Sequence, residues 1–254
     1  MTAQQTEIYK SLLEDQFAHF SKSNLGAIGV VVSGGIDSSL IAYFVNKYFS
    51  EAYFLSVATD KSLDRPFATM LGAHFKKKIE FVEVDQDYLN SIQLDVSDLL
   101  TVSGVETNQM QKALASVYYA AFEYAHKLGI RTVFTGQGPD ILFAGYSKYK
   151  KIRNSNIEIR KEILKDLPLL EIDGKRDGAM AKRWEIQLIH PYLAKEFMDF
   201  ALSVPEDLLI HNGQEKYISR LVGKELGLPV EIVHRPKKAM QYSTGIQRGI
   251  QKLM

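Results

Sequence analysis

Apolar positions recur in two rhythms along this chain. Short β-branched or continuous apolar runs read as buried strands, and stripes spaced by three and four residues read as helices. Ile28, Val30, Val31 and Val32 predict a first, buried parallel strand. Ala52 to Ala58 predicts a second and Ile79 to Val84 a third, whose alternation places it nearer an edge. Ile130 to Thr135 predicts a fourth. A helix opened by Asp37, Ser38 and Ser39 continues through Leu40, Ile41, Phe44 and Val45. The next runs through Phe67, Met70 and Leu71 and ends near Gly72. Met110 to Leu128 is a strong helix, with Leu114, Val117, Tyr118, Ala121, Phe122 and Ala125 on one side and Gly129 as its stop. Before the first strand, residues 6–22 carry Ile8, Leu12, Leu13, Phe17 and Phe20 on one stripe, a core-packing helix to which no function is assigned. Residues 86–104 read as helix and then loop (Asp95, Ser97, Asp98, Ser103, Gly104), and Glu171 to Gly178 reads as a polar loop or lid. Helices fit 195–203 and 214–226. Strand and helix in repeated alternation define an α/β fold: a doubly wound, mostly parallel sheet with right-handed crossovers and a helical C-terminal region.

Composition narrows the chemistry. The 254 residues are 46% hydrophobic and 24% charged, the balance of a globular protein able to bury a sizeable core. There is no cysteine, which removes disulfides, thiolate zinc sites, thiol nucleophiles and sulfur-relay chemistry together. A net charge of +1 gives no indication of a nucleic-acid partner. The basic stretch Lys148, Lys150, Lys151, Arg153, Arg160, Lys161 and Lys165 beside Tyr146 and Tyr149 is accordingly read as a solvated helical face, not a nucleic-acid platform. No apolar run is long enough to span a bilayer, and Met1 to Asn24 is polar and amphipathic, not a secretory signal, so the expected location is cytoplasmic.

Two turns carry the candidate chemistry. The first strand ends in Ser33-Gly34-Gly35-Ile36-Asp37-Ser38-Ser39. Adjacent glycines leave backbone N–H groups uncovered, and a helix start offers more of them at a positive dipole end, which suits a phosphate or pyrophosphate. The serines add hydroxyl donors, and Asp37 adds a carboxylate able to hold Mg²⁺ across phosphate oxygens. The bland alternative is a plain strand-to-helix turn capped by Asp37 or Ser38. No Gly-Lys-Ser/Thr follows, and the third glycine of a dinucleotide fingerprint is missing. The fourth strand ends in Thr135-Gly136-Gln137-Gly138-Pro139-Asp140, followed by Ile141 to Tyr146. If both strands lie in one sheet, Asp37 and Asp140 stand at its carboxyl edge and can share Mg²⁺ or hold one ion each. Asp60 follows the second strand at the same edge.

Ser33-Gly34-Gly35-Ile36-Asp37-Ser38 resembles the SGGxDS pyrophosphate loop of the N-type ATP pyrophosphatases. The second turn narrows the resemblance to the synthetase domain of the asparagine synthetase family, including its β-lactam-forming relatives, with its GEGSDELFGGY-like segment. Gly136, Gly138, Asp140, Leu142, Phe143, Gly145 and Tyr146 match it; Gln137 and Ile141 stand where the family has Glu. The first of those Glu residues assists the chemical step in the family, and a neutral amide cannot act as a base. His190-Pro191-Tyr192-Leu193 resembles the stretch ending in P-F/Y-L-D, with Ala194 for the final Asp, and His190 is read as a packed loop histidine. Glu215, Lys216, Tyr217 and Arg220 resemble the EK-x-x-LR segment. Arg235 to Gly245 resembles R-x-K-x-x-F-x-x-G, whose lysine reaches the adenylate; Lys237 is the first choice for it and Lys238 the second. The resemblance runs from about Ala27 onward and is poor over 147–180.

The resemblance implies an adenine nucleotide alpha hydrolase-like fold, with an ATP pyrophosphatase core over 1–146 and a helical region over 147–254 closing the site, the two forming one continuous domain. It implies an ATP-dependent ligase that adenylates a carboxylate, by analogy that of aspartate, releases pyrophosphate and passes the acyl group to ammonia. ATP and Mg²⁺ would be its cofactors. Ser33, Gly34, Gly35, Asp37, Ser38, Ser39, Val57 and Gly136 would bind ATP or pyrophosphate, Asp37 and Asp140 the metal, and Lys237, Lys238 and Gln137 would stand at the reacting centre. Glutamine-dependent members carry an N-terminal glutaminase domain with a cysteine nucleophile. Its absence here leaves free ammonia, a separate glutaminase chain or another acceptor. Two alternatives stay open: an amide or amine ligase on another substrate such as tRNA, and an ATP-binding protein in which Gln137 marks lost chemistry. Oligomeric state has no signal in the sequence.

Overall fold

The computed structural model describes residues 2–23, 25–153 and 158–252. The chain begins with α1 (Thr2–Ser21), then β1 (Ile28–Val31), α2 (Ile36–Tyr48), β2 (Ala52–Ala58), α3 (Arg65–Phe75), β3 (Ile79–Glu83), α4 (Gln86–Val102), α5 (Gln109–Lys127) and β4 (Thr132–Phe134). Short helices α6 (Pro139–Leu142), α7 (Ser147–Arg153) and α8 (Ile159–Asp166) precede the long α9 (Pro168–Arg183). After β5 (Gln187–Ile189) and a 3₁₀ turn at Pro191–Leu193 come α10 (Lys195–Ser203) and α11 (Glu206–Leu209). A two-stranded hairpin, β6 (Ile210–His211) and β7 (Gln214–Glu215), leads into α12 (Tyr217–Glu225), α13 (Val230–Val233), α14 (Met240–Ser243) and α15 (Ile246–Gln251).

Strands β1 to β5 form one sheet in the order β3-β2-β1-β4-β5, every pair parallel. From β1 the chain first steps outward to β2 and β3, then returns to place β4 and β5 on the other side. The order therefore reverses between β1 and β4, the position at which open α/β sheets leave a crevice beyond their carboxyl ends. Val30 pairs with Phe134, so the turns that follow these two strands leave the sheet side by side. Alternation sends Ile28, Val30 and Val32 into an apolar layer with Phe17, Phe44 and Phe134, while Val31 faces the opposite layer with Leu55, Phe122 and Val133. The edge position expected for the third strand is that of β3.

Several elements differ from the sequence reading. The buried stripe of α1 is Thr6, Tyr9, Leu13 and Phe17, and Ile8 is exposed. Tyr9 takes the inward place because its ring packs on Phe143, Tyr192 and Phe197. Helix α3 does not stop at Gly72 but runs to Phe75 and closes on Lys76 in the left-handed region. Asp95, Ser97 and Asp98 lie inside α4: Ser97 donates to the Gln93 carbonyl (2.6 Å), and Asp95 accepts from Tyr119 (2.6 Å) and Arg183 (2.9 Å). The expected lid at 171–178 is the middle of α9, begun by Pro168 in its first turn and anchored by buried Arg176 and Asp177. The helix expected from 214 starts at Tyr217, since Gln214 and Glu215 are taken up by β7 and Lys216 adopts a left-handed conformation. No strand was expected at β5, which is only 3 residues long. Among the described residues no helix is long and apolar enough to cross a membrane.

Candidate functional site

The turn after β1 is built by its own hydroxyls. Ser33 N–H donates to Ser38 Oγ (3.2 Å), Gly35 N–H donates to Ser33 Oγ (3.2 Å), and Ser38 Oγ–H reaches the Gly35 carbonyl (3.2 Å). Gly34 has φ +69°, and a Cβ there would stand 2.4 Å from Phe67 Cβ. Only glycine meets both demands. Gly136, in the turn after β4, is required for a different reason: a Cβ would lie 2.8 Å from Ser38 N. The two turns thus meet main chain to main chain. From behind, Tyr192 donates its hydroxyl to the Asp37 carbonyl (3.0 Å).

Asp37 and Asp140 converge on one cation, the ammonium of Lys216. Its Nζ pairs with Asp37 Oδ2 and lies 2.5 Å from Asp140 Oδ1. Lys237 reaches the other oxygen of Asp140 at 2.5 Å. Burial alone would raise the Asp140 carboxyl; Lys216 and Lys237 outweigh it and hold Asp140 well below the usual carboxylate range. Burial likewise opposes the charge on Lys216, and Asp140 and Asp37 outweigh it, keeping the ammonium protonated. Asp37 Oδ1 is buried with no hydrogen-bond partner among the described residues. These groups face a cavity of about 390 Å³ whose far wall is made by α5 and α9.

Ser33, Gly35, Asp37, Ser38, Gly136, Gln137, Asp140, Lys237 and Lys238 line this cavity. Gly34 sits within the turn against Phe67, and Ser39 is fully buried behind it, its Oγ without a partner among the described residues. Val57 is not brought to the cavity; its side chain belongs to the apolar layer with Val82, Leu89 and Phe122. Asp60 is exposed and lines a separate depression. Of the two lysines it is Lys237 that pairs with a site carboxylate, that of Asp140. Gln137 donates to Asp173 Oδ2 (2.7 Å), so a carboxylate from α9 stands beside the amide. His190 Nδ1 lies 2.6 Å from Thr135 Oγ1, and burial, helped by Arg176, pushes its imidazole down to about 4. It is a packed, neutral histidine at physiological pH, as its loop position implied.

Charged cavity residues that received no role from the sequence include Lys216, Asp64, Arg235 and Arg176. Arg176 is buried, donating from Nε to Asp177 Oδ1 (2.7 Å) and from Nη1 to Asp173 Oδ1 (2.6 Å) and Gln111 Oε1 (3.0 Å). Burial pushes Asp177 up to about 6, with Arg176 pulling it back. Because this value exceeds that of a solvated aspartate, the folded state binds the proton more tightly, and the group's contribution to stability falls as pH rises through about 4 to 6. Wild type should therefore lose stability relative to Asp177→Asn over that window, by on the order of 3 kcal/mol, and hold a constant difference above it. Denaturant titrations of both proteins across the window check this; a pH-independent difference would count against it.

The carboxylate pair fits Mg²⁺. Two acidic side chains already share a cation, and one Asp37 oxygen has no hydrogen-bond partner among the described residues. Among the described residues no group of three or more acidic or histidine side chains gathers to hold a metal. Two carboxylates completed by phosphate oxygens and water are the usual Mg²⁺ environment.

Fold and site together define a doubly wound α/β protein with a polyanion-suited crevice at its topological switch point. The family model for asparagine synthase matches residues 10–172 and 163–253, and the chain belongs to that family. It is similar, at 28% identity over 264 residues, to a Methanocaldococcus jannaschii protein provisionally named a glutamine-hydrolyzing asparagine synthetase, covering 90% of this chain and 48% of that one. It is 29% identical over 258 residues to the glutamine-hydrolyzing asparagine synthetase B of Escherichia coli (strain K12), covering 93% and 44%. The chain thus spans about half the length of the curated relatives it matches. Among solved structures, an NMN synthetase from Francisella tularensis aligns over 99% of this chain and 94% of its own, with a TM-score of 0.37 and 13% identity.

Proposed function

We propose that this chain is an ATP-dependent ligase that adenylates a carboxylate and converts it to an amide. The observation that carries this reading is the convergence of Asp37, Asp140, Lys216 and Lys237 between two glycine turns in one cavity. The turn from Ser33 to Ser38, at the start of α2, binds the β- and γ-phosphates of ATP, where free N–H groups and the helix dipole favour negative charge. Gly136 keeps the approach to Ser38 N–H open. Asp37 and Asp140 are the residues to hold Mg²⁺, which when bound neutralises phosphate charge. An acceptor carboxylate oxygen attacks the α-phosphorus, and pyrophosphate leaves with the bonding electrons. Lys216 and Lys237 are placed to meet the charge that moves onto the leaving group and onto the α-phosphate. Ammonia then attacks the activated carbonyl carbon, loses a proton and displaces AMP. Family membership supports aspartate as the acceptor and ammonia as the nucleophile. Gln137 is neutral and holds Asp173, so it orients and does not take a proton.

AMP and pyrophosphate release from Mg-ATP, with and without aspartate and ammonium, tests this. Release should require both additions and fall by at least about 100-fold in Asp37→Ala. Release with a different acid would keep adenylation and discard aspartate. ATP binding without AMP formation across a panel of acids and tRNA would overturn the ligase reading.

A further inference from the structure

The lysine of the last site segment is carried by a strap, residues 235–243, whose first part has no regular structure and whose end is α14. Both ends of the strap are tied to one buried side chain. Arg235 Nη2 lies 2.6 Å from Asp64 Oδ1, and Ser243 Oγ donates to Asp64 Oδ2 at 2.9 Å. Asp64 is 1% exposed and immediately precedes α3. Its two oxygens therefore hold two points eight residues apart, one on each side of Lys237. The far end has additional support, since the Ser243 carbonyl accepts from Leu63 N–H (2.8 Å) and the Thr244 carbonyl from Thr59 N–H (3.1 Å). The near end has support of its own: Arg220 Nη1 donates to the Arg235 carbonyl (3.0 Å) and Lys237 N–H donates to Glu215 Oε1 (3.1 Å). The Arg235 guanidinium donates to the Ser33 carbonyl at 2.5 Å and lies over the Phe67 ring at 4.1 Å, and Phe67 is the residue against which Gly34 packs.

We propose that Asp64 is a positioning residue: by fixing Arg235 and Ser243 it spans the strap, sets Lys237 over Asp140, and ties that placement to the Ser33–Gly35 turn. A buried ion pair adds little net stability, because desolvation cancels most of the attraction. What such a pair supplies here is a defined location for the chain between its two anchors. Asp64 touches neither Asp37 nor Asp140, so it acts through Arg235 and the strap.

Hydrogen–deuterium exchange of Asp64→Asn tests this without relying on any reaction. Amides of 237–242 should exchange at least tenfold faster than in wild type, with β1, α2 and α5 unchanged. Ser243→Ala, which leaves the charge pair intact, should speed exchange only toward 240–244. It keeps the test decisive if Asp64→Asn does not fold. Unchanged exchange in the strap, or equal acceleration across the sheet, would overturn the proposal and leave Asp64 as an ordinary stabiliser. A second arm uses Mg-ATP binding by calorimetry and rests on the function proposed above. Asp64→Asn and Lys237→Met should each weaken binding, and the double variant should be no weaker than Lys237→Met alone. Additive losses would exclude action through Lys237. Absence of ATP binding in wild type would instead defeat the ligase reading, while the exchange result still decides the role of Asp64.

Discussion

Lys237→Met should reduce AMP formation from Mg-ATP by a factor of about 100 to 1,000, the usual cost of removing one preorganised donor from a developing charge. The fold should survive. Lys237 is 22% exposed, and Asp140 keeps Lys216 at 2.5 Å when Lys237 is gone. Steady-state pyrophosphate release, alongside a melting curve, separates lost chemistry from lost structure. Lys238→Met is the companion measurement, because Lys238 lines the same cavity but reaches neither carboxylate. A near-wild-type rate for Lys237→Met with an inactive Lys238→Met would exchange the two roles.

Lys216→Met should show its largest effect in stability. The ammonium is 1% exposed and lies between Asp37 and Asp140, whose side chains are 16% and 30% exposed. Removing it leaves two carboxylates facing each other with one charge uncompensated. Breaking a buried pair from one side costs about 3–5 kcal/mol, and the partial exposure of Asp140 and the remaining Lys237 argue for the lower end, about 3 kcal/mol. Excess Mg²⁺ should restore much of this loss in Lys216→Met and have a smaller effect on wild type, where lysine already occupies the space between the carboxylates. Urea titrations with Mg²⁺ or with EDTA measure both. A variant as stable as wild type, or one indifferent to Mg²⁺, would mean that the two carboxylates do not form a cation site.

The elements legible in the sequence are those whose signal is local. The apolar runs of β1, β2 and β4 and the glycine turns that follow β1 and β4 carry their conformational demands in adjacent residues. The elements that escaped depend on distant partners. Helix α9 looks like a loop because Gly174, Gly178 and five charged residues over 171–178 hide its one buried face, and Arg176 becomes intelligible only once Asp173, Asp177 and Gln111 surround it. Lys216 is the sharpest case. It stands in a recognisable Glu-Lys pair, yet its partner Asp37 is 179 residues away, and its own left-handed backbone breaks the helical pattern that would have placed it on a face. Val57, which the resemblance implied for ATP, places its side chain in the apolar layer with Val82 and Leu89.

The main-chain contact at Gly136 divides the cavity into halves with different freedom to change. The closest approach of the Asp37 and Asp140 turns is between peptide atoms, and the Lys216 ammonium bridges the two carboxylates. The α5 and α9 wall lies outside that contact. One half behaves as a fixed socket and the other as an interchangeable fitting. On the function proposed above, a lineage built on this frame can exchange its acceptor while inheriting the phosphate-binding end.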